Sequence, residues 1–114
     1  MKNIKLITSS VFIILLLSAV YSLYAAEVKG KTVSLSAVVT GANADLTKEQ
    51  AVEYVKTGKP LAFKTSKGEI YLVFNTDGSL ADKNLALNAG TEYTITGKVH
   101  NKKGLKYIIA DKFN

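Results

Sequence analysis

His100 is the only histidine in the chain, and there is no cysteine. A transition-metal site needs three or four converging ligands. A nucleophilic triad needs a nucleophile, a base and a group that orients the base. One imidazole followed by Asn101, Lys102 and Lys103 supplies neither, so His100 reads as a solvated strand end. Glu49 and Glu53 are the best-spaced carboxylates for acid–base work, one helical turn apart. Lys48 and Lys56 bracket them, which favours two ionised surface acids. A glycosidase would also need its acids across a sugar-sized cleft, and a domain this short has little room for one. Asn75, Asp77, Gly78 and Leu80 match four inner positions of a calcium loop, but its first and last positions fall on Val73 and Asn84. Those two positions require acids. The reading is therefore non-catalytic, with no catalytic residue, no metal ligand set and no cofactor.

What remains is binding chemistry. The chain has fifteen lysines, no arginine and nine acids. Lysine is a flexible point charge, whereas arginine offers a planar fork that grips phosphates and bases with two bonds at once. Such a surface attracts anions loosely and reads no sequence. The absence of cysteine also excludes disulfides, thiolate metal sites and a lipid anchor through cysteine. Packing and hydrogen bonds alone must hold the fold.

The elements that position these groups follow a charged leader. Lys2 and Lys5 precede the apolar run VFIILLL (11–17), and small residues Ala25 and Ala26 come before the first acid, Glu27. That order predicts a secretory signal peptide over 1–26, cleaved after Ala25 or Ala26, with an uncleaved membrane anchor as the alternative, and an exported domain over 27–114, periplasmic or extracellular. Once the signal is cleaved, no stable membrane insertion is expected.

EVKGK (27–31) reads as a polar lead-in, and TVSLSAVVTG (32–41) as a strand by its period-two alternation. Thr47 and Gln50 have capping-box spacing at the start of a helix that Gly58 and Pro60 stop. LAFKT (61–65) and EIYLVFN (69–75) are strands around a turn at Gly68, with Ile70, Leu72 and Phe74 on the core side and Tyr71 and Val73 outside. SLADKNLALNAG (79–90) holds a short helix with Leu80, Leu85 and Leu87 inward. The last hairpin turns at NKKG (101–104), with Tyr93, Ile95, Val99, Leu105, Tyr107 and Ile109 facing the core. Five strands, a helical insertion after the first and a helix between the third and fourth make the chain order of an all-β barrel of the OB type.

LNAGTEYTITGKVHNKKGLKYIIADKF and LTKEQAVEYVKTGKPLAFKTSKGEIYLVF are similar to the end and middle of small exported bacterial OB-fold proteins. The likeness covers nearly all of 32–113. It implies the barrel but no activity, since that group has none assigned. Members often carry cysteines, sometimes with histidine, in the region corresponding to 41–56. This chain has Ala42, Asn43, Ala44 and Asp45 there.

OB barrels commonly bind across strands two and three, between the first and last inter-strand loops. On that plan Lys64 and Tyr71 form a floor, Lys56 and Lys59 one wall, and His100, Lys102 and Lys103 the other. These seven are the candidate ligand-binding set. They suit weak binding of a polyanion or an anionic glycan. Two alternatives stand beside it: a single-stranded nucleic-acid domain, which normally needs several stacking aromatics, and a protein-interaction or structural module that pairs an edge strand with another exported protein.

Overall fold

β1 (Ala26–Ser34) has two partners in succession. In the computed structural model, which describes residues 25–114, its first half pairs antiparallel with β4 (Tyr93–Lys102) and its second half with β2 (Leu61–Thr65). The change falls on Gly30, which stands opposite Tyr93 on one side and Thr65 on the other. A Cβ there would overlap the Lys64 carbonyl oxygen. Gly97 plays the same part at the register shift in β4, where a Cβ would overlap the Ile109 carbonyl oxygen. Only residues without a side chain let backbones approach this closely.

β3 (Ile70–Phe74) is shared in the same way. Ile70 and Tyr71 face Lys64 and Phe63 of β2, while Leu72, Val73 and Phe74 run parallel to Tyr107, Ile108 and Ile109 of β5 (Leu105–Phe113). β5 pairs antiparallel with β4, so the circuit β1-β2-β3-β5-β4 closes into a barrel. Closure removes the long free edges that an open sheet of these strands would expose. β4 beyond Gly97 pairs with β5 alone.

Three short helices complete the chain. α1 (Leu35–Thr40) starts where the Ser34 hydroxyl accepts from the Ala37 N–H, and it ends at Gly41 with φ 77°. α2 (Lys48–Lys56) carries the predicted capping box: the Gln50 N–H donates to Thr47 Oγ1, and the Thr47 N–H donates to Gln50 Oε1. α3 (Asp82–Leu87) packs against α2 and buries Leu85 and Ala86. Leu85, Ala86 and Ala51 of α2 join Leu61, Phe63, Val73, Ile95 and Ile108 in one core cluster, in which Phe63 meets the Tyr93 ring edge-on at 5.2 Å.

One buried polar chain fastens α3 to the barrel. The Thr32 hydroxyl donates to the Leu85 carbonyl at 2.6 Å. A carbonyl can only accept, so the Tyr93 hydroxyl, 2.6 Å from Thr32 Oγ1, is the donor of the second bond. Burial pushes the Tyr93 phenol up to about 12.

Several sequence expectations change here. The first strand is not 32–41: it begins at Ala26 and gives way to α1 at Leu35. Its inward side carries Val28, Gly30, Thr32 and Ser34, with one sizeable apolar residue among them, so hydrophobic alternation could not reveal it. Val33 is buried on the opposite side, bridged to Asp45 where the chain returns after α1. On β3 the sides are reversed: Val73 lies in the core and Tyr71 packs against it, so Ile70, Leu72 and Phe74 point outward. On β5 it is Ile108 and Ala110 that are buried, and Leu105, Tyr107 and Ile109 that face out. Leu85 is inward on α3 as expected, but Leu80 and Leu87 are 52% and 53% exposed. Residues 85 and 87 stand on opposite sides of a helix that turns once every 3.6 residues. The predicted signal peptide, up to residue 24, lies outside the described residues, and among the described residues no helix is long and apolar enough to cross a membrane.

Gly30→Ala should cost more than about 3 kcal/mol, beyond the usual range for overpacking, because the overlap is with backbone. Thr32→Val, which strips both bonds from the chain at once, should cost about 1–3 kcal/mol, and Tyr93→Phe about 1 kcal/mol. Urea unfolding of the purified proteins measures all three. The Tyr93 contribution also has a pH signature. Its folded pKa is raised from 10.0 to about 12, so the stability tied to the neutral phenol is full below about pH 10 and falls as pH rises through 12. Tyr93→Phe should flatten that alkaline fall.

Candidate functional site

The reversal on β3 and β5 moves six large side chains to the outside of the barrel. Leu72 and Tyr107 are direct neighbours across the parallel pair, as are Phe74 and Ile109, with Ile70 and Leu105 toward the strand starts. Runs such as IYLVF and LKYIIA, apolar on both sides, are what a parallel pair carries when both its faces are covered. Here the inner face is covered by the core, while Leu105 remains 52% exposed on the outer one.

Two turns bound this face. After β3 the chain reverses through Asn75–Gly78, where the Gly78 N–H donates to the Asn75 carbonyl. The β4–β5 hairpin turns through Lys103, at φ 52°, and Gly104, at φ 85°. Between them lies a groove of about 410 Å³, floored by Phe74, Tyr107, Ile109 and Leu105 and bordered by Asn75, Thr76, Gly78 and Lys102. Tyr107 is its central ring. His100 stacks on it from β4 (centroids 4.8 Å apart, planes 10° apart), and Phe74 abuts it from β3 at 5.9 Å and 88°. Since β5 lies between β3 and β4, the two rings flank Tyr107 from opposite sides.

The seven residues selected from sequence are distributed over several places. His100, Lys102 and Lys103 belong together on the β4–β5 hairpin. Lys102 borders the groove and His100 supports its central ring, with Nε2 buried and without a partner among the described residues. Lys64 lines a polar cleft with Lys31, Ser66 and Lys67. Tyr71, expected on the outer face, packs instead against the core and lines a cleft with Val28, Lys67 and Glu69. Burial first, then the Glu69 carboxylate, raise its phenol above the ordinary value. Lys56 sits between α2 and α3 with Lys83 and Leu87. The Lys59 ammonium lies 5.0 Å from the centre of the Tyr54 ring. Other lysines are spoken for by acids: Lys29 pairs with Glu92, Lys31 with Asp45 and Lys106 with Glu69.

The residues that sequence reasoning missed are Phe74, Leu105, Tyr107 and Ile109, all assigned to the core by alternation. The available signal was the two-sided apolar character of both strands, which a half-buried strand does not need. Among the described residues no three His, Asp or Glu side chains converge as metal ligands. No protein-family model matches the chain, no curated protein is recognisably similar to it, and no solved structure matches it.

Away from the groove, Asp82 is the acid whose surroundings work against its charge. Burial raises its carboxyl above the ordinary value, a backbone bond from Leu61 lowers it in part, and Oδ1 has no partner among the described residues. A raised acid is most compatible with folding below its unfolded pKa, and that contribution is lost as pH rises through its folded pKa. Asp82→Asn should therefore stabilise the protein at neutral pH and lose that advantage in acid. Urea unfolding of both proteins at neutral pH and below the carboxylate range checks the sign.

Proposed function

We propose that this chain is an exported, non-catalytic binding domain of the OB type, and that its ligand surface is the outer face of β3 and β5. The circuit 1-2-3-5-4, the parallel pairing of β3 with β5 and the helix between β3 and β4 support the OB reading. A single observation carries the functional one: Phe74, Leu105, Tyr107 and Ile109, none of them in the core cluster, lie together on one sheet face, between two turns, as the floor of an apolar groove. Apolar patches of this kind on a small soluble domain mark binding surfaces.

The geometry favours an apolar ligand over a polyanion, a glycan or a nucleic acid. A cationic trough needs its lysines in one cleft, and Lys56, Lys64 and Lys102 line three different ones. The cleft that gathers three lysines, Lys31, Lys64 and Lys67, also holds Glu92, and Lys31 is already paired to Asp45. Bases and pyranose rings need an open aromatic face on which to stack, and Tyr107 is flanked on both sides by rings of its own chain. Closure leaves only short stretches paired on one side, such as β4 beyond Gly97 and β5 beyond Ile109, for pairing with another exported protein through an edge strand.

Amide chemical-shift mapping of the labelled protein tests the reading. Decanol, a heparin-derived oligosaccharide and an oligothymidylate serve as probes. Decanol should shift amides of β3, β5 and the turn at 75–78, and Ile109→Ser should weaken it about tenfold, as expected for losing most of one buried aliphatic side chain. Shifts from the anionic probes centred on Lys31, Lys64 and Lys67, with none from decanol, would move the binding surface to the polar cleft.

A further inference from the structure

We infer that the groove takes a single-chain anionic amphiphile, with its alkyl chain along Phe74, Tyr107 and Ile109 and its head group at Lys102. This rests on the outer face of β3 and β5 being the ligand surface, and it adds the class of ligand.

The first argument is chemical. The floor offers ring and aliphatic carbon, and the main chains beneath it are engaged in the ladders that join β3, β5 and β4. A peptide laid on such a floor would bury N–H and C=O groups with nothing to bond them, at a cost that disfavours it. An alkyl chain has no such groups. The second argument is size. From Leu105 to Ile109 the floor runs about 13 Å at about 3.3 Å per strand residue, the reach of roughly ten extended carbons. A volume of about 410 Å³ holds one such chain rather than the paired chains of a membrane lipid.

The third argument is charge, which differs between the two ends. Lys102 borders the groove at the hairpin, Lys103 follows it at the tip, and neither makes an ion pair among the described residues. At the other end the turn carries Asp77, whose carboxylate accepts from the Ser79 hydroxyl at 2.6 Å and from the Ser79 N–H at 3.0 Å. Those bonds hold its carboxyl below the usual range. An anionic head is drawn to the hairpin end and repelled from the turn. The groove, bounded by two turns, has room for one chain and not for the paired chains of a bilayer lipid. The ligand is the free amphiphile.

The experiment titrates octanoate, decanoate and dodecanoate below their micelle concentrations into the full protein, with decanol as the uncharged control. Calorimetry and amide mapping follow the binding. Affinity should rise about two- to fourfold per methylene, and decanoate should bind more tightly than decanol. K102Q/K103Q should weaken decanoate roughly five- to tenfold, the scale of one or two exposed charge pairs, and weaken decanol far less. Both substitutions are on an exposed hairpin, and circular dichroism verifies that the fold is intact. Decanol binding as tightly as decanoate, or a K102Q/K103Q protein with unaltered decanoate affinity, overturns the anionic assignment but leaves the face as the ligand surface. An acidic peptide with apolar residues that occupies the groove when the carboxylates do not overturns the alkyl-chain assignment and also leaves the face as the ligand surface. Binding to phosphatidylglycerol vesicles without binding to free carboxylates overturns the free-ligand assignment. If none of these probes shifts β3 and β5, both the inference and the surface fail together.

Discussion

A strand that serves two neighbours in turn has to bend where it changes from one to the other, and that bend brings three backbones together. In this barrel the crossing is at Gly30, with Tyr93 on one side and Thr65 on the other, and the Lys64 carbonyl where a side chain would be. Everything else depends on that approach. If β1 could not leave β4 for β2, the circuit of five strands would open and expose the unpaired main-chain groups of its edges. Gly97 repeats the device where β4 shifts register against β5. Closure is thus secured by two residues that contribute no packing of their own.

The same closure explains why α3 is tied so firmly. A five-stranded barrel is narrow, and its lower end has to be stopped by side chains from outside the sheet. Leu85 and Ala86 do this, held by the hydrogen-bond chain from Tyr93 through Thr32 to the Leu85 carbonyl. Burying three polar groups in a core this small is tolerable because each has a partner. Asp82, one turn earlier, shows the opposite case: a carboxylate oxygen without one among the described residues.

Outside the barrel, charge and hydrophobicity are separated. Lys29, Lys31 and Lys106 are matched to acids, and Lys59 to an aromatic ring. The hairpin lysines stand next to the one face where Phe74, Tyr107, Ile109 and Leu105 lie together. A cation at the border of an apolar groove is a different instrument from a cationic trough, because the groove supplies contact area and the cation only orients what enters it.

The sequence by itself determined what is local. The capping box at Thr47 and Gln50, the turns at Gly68 and Gly104, the helix around Leu85 and the number and order of the later strands all follow from residues within a few positions of one another. It also determined the lysine-only character of the charge and the absence of thiols. It did not determine β1, whose inward residues are a valine, a glycine, a threonine and a serine. Nor did it determine which side of β3 and β5 faces in. Strands that are apolar on both sides carry no alternation to read, and a shift of one residue exchanges the two faces completely. Only the tertiary structure decided that, through the pairing of Val73 with Ile108 on the inside. That one register placed Phe74, Tyr107 and Ile109 in reach of a ligand and withdrew Tyr71 from it, because a side chain's face is fixed by the partner strand and not by its own neighbours in sequence.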